Sequence, residues 1–187
     1  DKDESYRFFD FFRKWGVGNF REQDWNEEVR GEFTNKPLVL KSLKRVFEFI
    51  KIQSNQDKDF SWILPLYEKA LEFYSDDIWI VREYATLLNV LGRSQEAIKL
   101  YKNIALEKGD QAYVWHEFAN LIKHTNSKIA VSMLCKAVSL QKDEDFLGTI
   151  HIDLAKLLFD CGDAEGAASE LNLYKKHREK KGWKLSE

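Results

Sequence analysis

The residues able to do chemistry are few, and their spacing excludes the common metal sites. The histidines are His116, His124, His151 and His177. His116 and His124 are eight residues apart on one predicted helix, roughly 12 Å along its axis, whereas zinc ligands lie about 2 Å from the metal. His116–Glu117 is not followed by a second histidine four residues later, so the zinc-hydrolase helix signature is missing.

Patterns for nucleophilic catalysis, calcium and nucleotides are missing from the sequence too. There is no G-x-S-x-G, and Cys135 has no recognisable His or Asn partner pattern. Asp143–Glu144–Asp145 lacks the alternating ligands and central glycine of a calcium loop. Gly16–Val17–Gly18 is neither preceded by an apolar strand nor followed by Lys-Ser or Lys-Thr. We therefore predict no catalytic residue, no metal, no cofactor and no enzyme activity.

Composition indicates an all-α, water-soluble segment. The 187 residues are 44% apolar and 32% charged, with two prolines and nine glycines, as expected when each helix has one solvated face. A net charge of −2 provides no global positive field for nucleic acid. The isolated Cys135 and Cys161 favour reduced thiols in the cytoplasm, and no apolar run is long enough to span a membrane. The start at Asp1–Lys2–Asp3–Glu4 favours an excised segment of a longer protein, or a protein whose ends were trimmed.

The most informative spacing belongs to the alanines. Ala85, Ala119 and Ala155 are 34 and then 36 residues apart, each within an apolar run of helical period. Each run is followed by a turn and a second helical run with its own small residue, at Ala97, Ala130 and Ala167. Because helices pack 8–10 Å apart, small residues let them approach closely at a crossing. The period therefore predicts helical hairpins in which these six alanines are the packing positions.

This pattern resembles the tetratricopeptide repeat (TPR), whose second helix carries A-x3-large-x2-small. In the clearest copy Val81, Tyr84, Ala85 and Leu88 share a face, Gly92 ends the helix, and Ser94 is the expected N-cap of the next. Two departures are Ile104 and Tyr174, which replace the last small residue. The resemblance implies an all-α, right-handed α-α superhelix, a TPR-like solenoid. The residues at its two ends predict an N-terminal aromatic helix cap and a basic C-terminal helix.

The repeats define the predicted domain organisation. Residues 1–36 form an N-terminal helical cap and linker, and residues 37–187 form the repeat array. The array divides into a degraded repeat at 37–77 and repeats at 78–111, 112–145 and 146–181. The aromatic run Tyr6–Trp15 is predicted to cap the array; alternatively, its Phe8–Trp15 surface serves a neighbouring domain or a second subunit. Polar residues Gln53–Asp59 are predicted to be an exposed loop.

The resemblance also implies a binding groove along the first helices. The matching positions mix aromatic, amide and cationic side chains, which suit an extended peptide. Glu117 and Asp153 occupy places where clamps for acidic chaperone tails carry amides or cations, so such tails are disfavoured. The predicted partner is a protein or peptide, or a neighbouring domain of the same chain. The groove residues are Trp79, Arg82, Asn89, Tyr113, His116, Asn120, Lys123 and Lys156, flanked by Thr86, Thr149, Ile152 and Phe159.

Three further interpretations stay open from the sequence. The basic run Lys175–Lys181 would contact nucleic acid, and the Phe8–Trp15 surface would make the chain a self-associating scaffold. The motifs Leu134–Ala137, Asp145–Leu147 and Arg178–Lys184, with Phe20–Trp25, resemble an uncharacterised helical-repeat segment of bacterial TOTE conflict systems. That resemblance implies a bacterial, cytoplasmic adaptor in defence and assigns no site residues.

Overall fold

The computed structural model of the chain describes residues 2–53 and 59–184. The helices are α1 (Lys2–Trp15), α2 (Leu38–Gln53), α3 (Leu64–Phe73), α4 (Ile78–Val90), α5 (Ser94–Glu107), α6 (Ala112–Ile122), α7 (Ser127–Leu140), α8 (Leu147–Asp160) and α9 (Ala164–Lys181). Short 3₁₀ turns occupy Val17–Asn19, Glu22–Trp25, Ser61–Ile63 and Glu144–Phe146. The predicted all-α, TPR-like class is confirmed. Of the polar loop predicted at 53–59, residues 54–58 lie outside the described part of the chain.

A small β-hairpin was not predicted. Strands β1 (Glu28–Arg30) and β2 (Phe33–Asn35) pair antiparallel, with Val29 opposite Thr34. The turn between them uses Gly31 at φ 62°, a left-handed conformation that glycine adopts without a Cβ clash. Three-residue strands are too short to show a period of two, so the sequence carries no periodic signal for them.

The chain divides into two compact units, residues 1–97 and 98–187. In the first unit, α1 covers an aromatic core. Phe9 stacks on Phe49 with ring centroids 4.2 Å apart and meets Phe60 edge-on. Phe12 is buried as well, while Phe11 is 60% exposed. The face of α1 that packs on this core thus includes Phe9 and Phe12, and that α1 caps the repeat array stays a prediction.

The second unit contains two helical hairpins, α6–α7 and α8–α9. Ala119, Ala130, Ala155 and Ala167 are all buried in it, as their predicted packing role requires. The second helices begin at side-chain caps. Asn126 accepts from the Ile129 amide, and Asp163 accepts from the Gly166 amide, which satisfies backbone donors at the helix starts.

Candidate functional site

Each first helix of the three clear repeats carries the same three-residue pattern: an acid, a large apolar residue and the packing alanine. The acids are Glu83, Glu117 and Asp153, each two residues before the alanine. The recurrence of these acids was not part of the predicted repeat pattern. In an α-helix a residue two positions from another lies on a different face. The acid can therefore face one neighbour while the alanine faces another.

In the first two repeats a buried tyrosine of the preceding helix holds the acid. The Tyr67 hydroxyl on α3 donates to Glu83 Oε2 at 3.2 Å, and the Tyr101 hydroxyl on α5 donates to Glu117 Oε2 at 3.0 Å. The two tyrosines are 34 residues apart, as are the two glutamates. In these two repeats a tyrosine–glutamate hydrogen bond thus links consecutive helices, in addition to the apolar packing.

In the third repeat the acid has hydrogen-bond partners other than a tyrosine. Leu134 occupies the position of the tyrosines, four residues after the packing alanine, and cannot donate a hydrogen bond. Asp153 Oδ2 instead lies 2.7 Å from His116 Nε2 and accepts from Asn120 Nδ2 at 3.2 Å. Lys123 Nζ donates to Asn120 Oδ1 at 3.1 Å. Three predicted groove residues are therefore joined in one network with Asp153.

The charge on Asp153 is favoured by this network. Burial of its carboxyl opposes ionisation, but the hydrogen bonds from His116 and Asn120 and the nearby charge of Lys123 outweigh burial and lower its pKa. The Asn120 amide is fixed from both ends, because it donates to Asp153 and accepts from Lys123. These side chains are therefore held in place before any ligand arrives, which reduces the entropy lost on binding.

A cavity of about 370 Å³ opens beside the network. Its apolar wall comes from Ala119, Leu134 and Leu157, and its polar rim includes Lys123 and Lys156. The complete lining is Ala119, Asn120, Lys123, His124, Ser127, Leu134, Asp153, Lys156, Leu157, Asp160 and Cys161. We call this the inter-repeat cavity. Its mixture of apolar surface, amide, cations and carboxylates is able to hold a peptide side chain and its backbone.

Predicted groove residues in the first unit have other surroundings. The Arg82 side chain is buried, with 7% of the residue exposed, and its guanidinium lies 4.3 Å from the centre of the Trp79 ring. Asn89 Oδ1 accepts from the Ser94 hydroxyl at 2.8 Å. Ser94 was expected to be the N-cap of α5, but it is the first residue of that helix. Trp79 is 57% exposed. Replacing Arg82 by Glu would put a carboxylate in the interior in place of a guanidinium, so this position is unsuitable for testing a binding surface.

The remaining predicted groove residues lie in the second unit. Tyr113 is half-buried on α6, and Lys156 is exposed on α8. The cavity is also lined by Asp153, Asp160 and His124, which were not among the predicted groove residues. A signal for Asp153 was present, because the acid-apolar-alanine pattern recurs. His124 lies in the turn after α6 and Asp160 is the last residue of α8, so neither belongs to the recurring pattern.

Part of the basic C-terminal helix is paired with acids just before α8. Lys181 Nζ lies 3.0 Å from Asp145 Oδ1, and Lys180 Nζ lies 3.8 Å from Glu144 Oε2. His177 lies between the same two carboxylates, with Nε2 3.3 Å from Asp145 Oδ1. These contacts reduce the positive field that α9 offers to a nucleic acid.

Within residues 2–53 and 59–184, no cluster of three or more His, Cys, Asp or Glu side chains could hold a metal ion. Among the helices of the same described residues, none is long and apolar enough to cross a membrane.

Comparisons with known proteins relate the chain to one family and one fold. A family model described as Domain of unknown function (DUF7017) matches residues 78–187. No curated protein gives a significant match to the chain.

Several solved structures are similar in fold. MamA (41-end) from Desulfovibrio magneticus RS-1 is 12% identical, with 74% of this chain and 76% of that one covered and a TM-score of 0.57. BtubC (BKLC) from P. vanneervenii is 17% identical, with 83% and 70% covered and a TM-score of 0.60. MamA from AMB-1 is 13% identical, with 75% and 79% covered and a TM-score of 0.55. These are TPR-like helical repeat proteins, and at such identities the likeness shows the fold alone.

Proposed function

The chain belongs to the family described as Domain of unknown function (DUF7017), and we propose that it is a noncatalytic protein-interaction module. Its ligand is an extended segment of a partner protein, held at the inter-repeat cavity. The observation that carries this proposal is the fixed network of His116, Asn120, Lys123 and Asp153 beside a cavity of about 370 Å³.

The chemistry of the cavity supports a peptide. An apolar side chain of the ligand would pack against Leu134 and Leu157, which removes apolar surface from water. Lys123 and Lys156 would donate to backbone carbonyls or to a carboxylate. Asp153, which stays ionised, is an acceptor for a ligand N–H. A ligand with both donors and acceptors, such as a peptide backbone, fits this lining better than a simple anion.

The proposal is tested by panning a random peptide library displayed on phage against the full chain. Enriched peptides are then titrated against a Lys123→Gln/Lys156→Gln variant. We expect at least about tenfold weaker binding, equivalent to about 1.4 kcal/mol. The matched control is Lys99→Gln/Lys102→Gln, since both of these lysines are exposed on α5 and neither lines the cavity.

Circular dichroism of both variants verifies that helix content is kept. If no peptide is enriched, or if the Lys99/Lys102 control weakens binding equally, the cavity is not the binding site and the proposal fails.

The biological setting is a further part of the proposal. A bacterial, cytoplasmic adaptor in defence is suggested by the resemblance to the repeat segment of TOTE conflict systems, which rests on Leu134–Ala137, Asp145–Leu147, Arg178–Lys184 and Phe20–Trp25. Deleting the segment from its gene in a host that resists phage would be expected to lower resistance, and unchanged resistance would contradict this setting. The acid pairing of α9 gives no observation in favour of nucleic-acid binding, so we do not propose that function.

A further inference from the structure

The last hairpin exposes an apolar residue at a position that the earlier repeats bury. Tyr67, Tyr101, Leu134 and Leu171 each follow the first packing residue of a second helix by four positions. The first three are at most 2% exposed, whereas Leu171 is 48% exposed. In the first unit this position contacts the next first helix through Glu83, and in the second unit through Glu117. Leu171 therefore occupies the position that contacts the next first helix in earlier repeats, but no further helix follows α9 among the described residues.

Helix α8 also carries residues equivalent to those with which α6 contacts the next first helix. A shift of 36 residues, which relates Ala119 to Ala155, relates His116 to Ile152, Asn120 to Lys156 and Lys123 to Phe159. His116 and Asn120 bond to Asp153 of the following first helix. Their equivalents on α8 thus mark where a further first helix would lie, and Phe159 there is 68% exposed. We call Ile152, Lys156, Phe159 and Leu171 the α8–α9 face.

The contacts between earlier repeats indicate which kind of helix would pack on this face. Every arriving first helix brings an acid, a large apolar residue and an alanine in that order, at Glu83–Ala85, Glu117–Ala119 and Asp153–Ala155. In the last junction Asn120 donates to the arriving acid, and Lys156 takes the place of Asn120. A lysine is a stronger partner for a carboxylate than an amide, because its hydrogen bond is charge-assisted.

We propose that the α8–α9 face binds an amphipathic helix of a partner protein. The helix carries the acid–apolar–alanine pattern, with its acid directed at Lys156 and its apolar stripe on Phe159 and Leu171. This helix-in-groove recognition is distinct from the proposed capture of an extended segment in the inter-repeat cavity, with which it shares only Lys156.

A second copy of the chain is a poor source for this helix. The alanines of its own first helices, Ala85, Ala119 and Ala155, are 0%, 1% and 2% exposed. A copy would have to unfold a repeat to lend one of these helices, and this would expose a packed core. A helix of another protein carries no such cost.

The proposal is tested by fluorescence anisotropy with the full chain. The probe is a fluorescein-labelled peptide with the sequence of residues 147–160, which contains Asp153–Leu154–Ala155, stapled on its solvent side so that it is helical. We expect saturable binding that Phe159→Glu and Leu171→Glu each weaken by at least about tenfold. The matched control is Leu106→Glu, because Leu106 is 87% exposed on α5 and lies outside the face.

Charge reversal tests the assigned acid. A probe with Asp153→Lys should bind the chain poorly, and Lys156→Glu in the chain should restore binding of that probe. Lys123→Gln should leave helix binding unchanged while it weakens the peptides of the inter-repeat cavity, so failure of one site is distinguishable from failure of the other.

Each contrary result is decisive. Absence of saturable binding, or equal weakening by Leu106→Glu, overturns the proposal. So does a dimer of the chain in sedimentation that Leu171→Glu abolishes, because the face would then belong to a second copy. Circular dichroism of the folded variants excludes loss of structure as the cause.

Discussion

The phenol of Tyr67 donates a hydrogen bond to the carboxyl group of Glu83 in the interior of the first unit, with 3.2 Å between Oη and Oε2. Tyr67 is fully buried and Glu83 is 8% exposed. Burial raises the pKa of Glu83 from 4.5 to about 7, and the hydrogen bond from Tyr67 offsets only part of this effect. The Glu83 carboxyl group, which accepts the hydrogen bond between these two helices, therefore also titrates near neutral pH.

Replacing Glu83 by glutamine should make the chain more stable in alkaline solution. The folded pKa is raised, so the stability that Glu83 contributes is fully present below pH 4.5 and is lost as the pH rises through about 7. A shift of this size corresponds to about 3 kcal/mol. In urea unfolding, the stability of Glu83→Gln relative to the unmodified chain should rise between pH 5 and pH 8.

The matched control for this titration is Glu72→Gln, since Glu72 is exposed on α3. Its effect on the free energy of unfolding should be small and independent of pH. A Glu83→Gln difference that is the same at pH 5 and pH 8 would show that the carboxyl does not titrate in this range.

The Tyr101–Glu117 hydrogen bond should be measurable as a coupling energy. In a double-mutant cycle, Tyr101→Phe and Glu117→Gln remove the donor and the charged acceptor in turn. We expect each single change to lower the free energy of unfolding, and a coupling of about 0.5–1.5 kcal/mol. Additive single effects in urea denaturation would mean that the 3.0 Å contact makes no net contribution.

Asp153 should be the least replaceable residue of the inter-repeat cavity. Asp153→Ala leaves the donors of His116 and Asn120 without their acceptor, which we expect to cost about 1–3 kcal/mol of unfolding free energy. Asp160→Ala is the control, because Asp160 lines the same cavity but is exposed. Equal urea midpoints for the two variants would contradict the structural role of the network.

Neighbouring alanines on α9 give a direct test of the repeat packing. Ala167 is 4% exposed and Ala168 is exposed, so Ala167→Leu overpacks the hairpin while Ala168→Leu projects into solvent. We expect the first to lower stability by about 1–3 kcal/mol and the second to change it little. The thermal midpoints of the two variants, followed by circular dichroism, should differ accordingly; similar midpoints would place the helix crossing elsewhere.

Much of the fold was predictable because its signals are local. The period of 3.6 residues placed the packing alanines, and glycine or capping residues marked the turns at Gly92, Asn126 and Gly162. The β-hairpin at residues 28–35 escaped prediction because its strands have three residues each. Six aromatic residues within ten positions of α1 leave the direction of its apolar face ambiguous, and only the structure shows that Phe9 and Phe12 are buried while Phe11 is exposed.

The site was only partly predictable. His116, Asn120, Lys123 and Lys156 were assigned to a binding surface, and all but His116 line one cavity, while His116 supports its wall through Asp153. Arg82 was assigned to the same surface but is buried against Trp79. Periodicity identifies the face on which a side chain emerges, but not whether a neighbouring helix covers that face.

The sequence by itself determined the helices, the repeat register and the positions of close packing. These follow from the rise and turn of an α-helix and from the small volume of alanine. Only the tertiary structure decided that Asp153 bonds to His116 and Asn120, more than 30 residues earlier, and that Lys180 and Lys181 face Glu144 and Asp145. Such pairings depend on how far apart and at what angle two helices lie, which a single helical period does not specify.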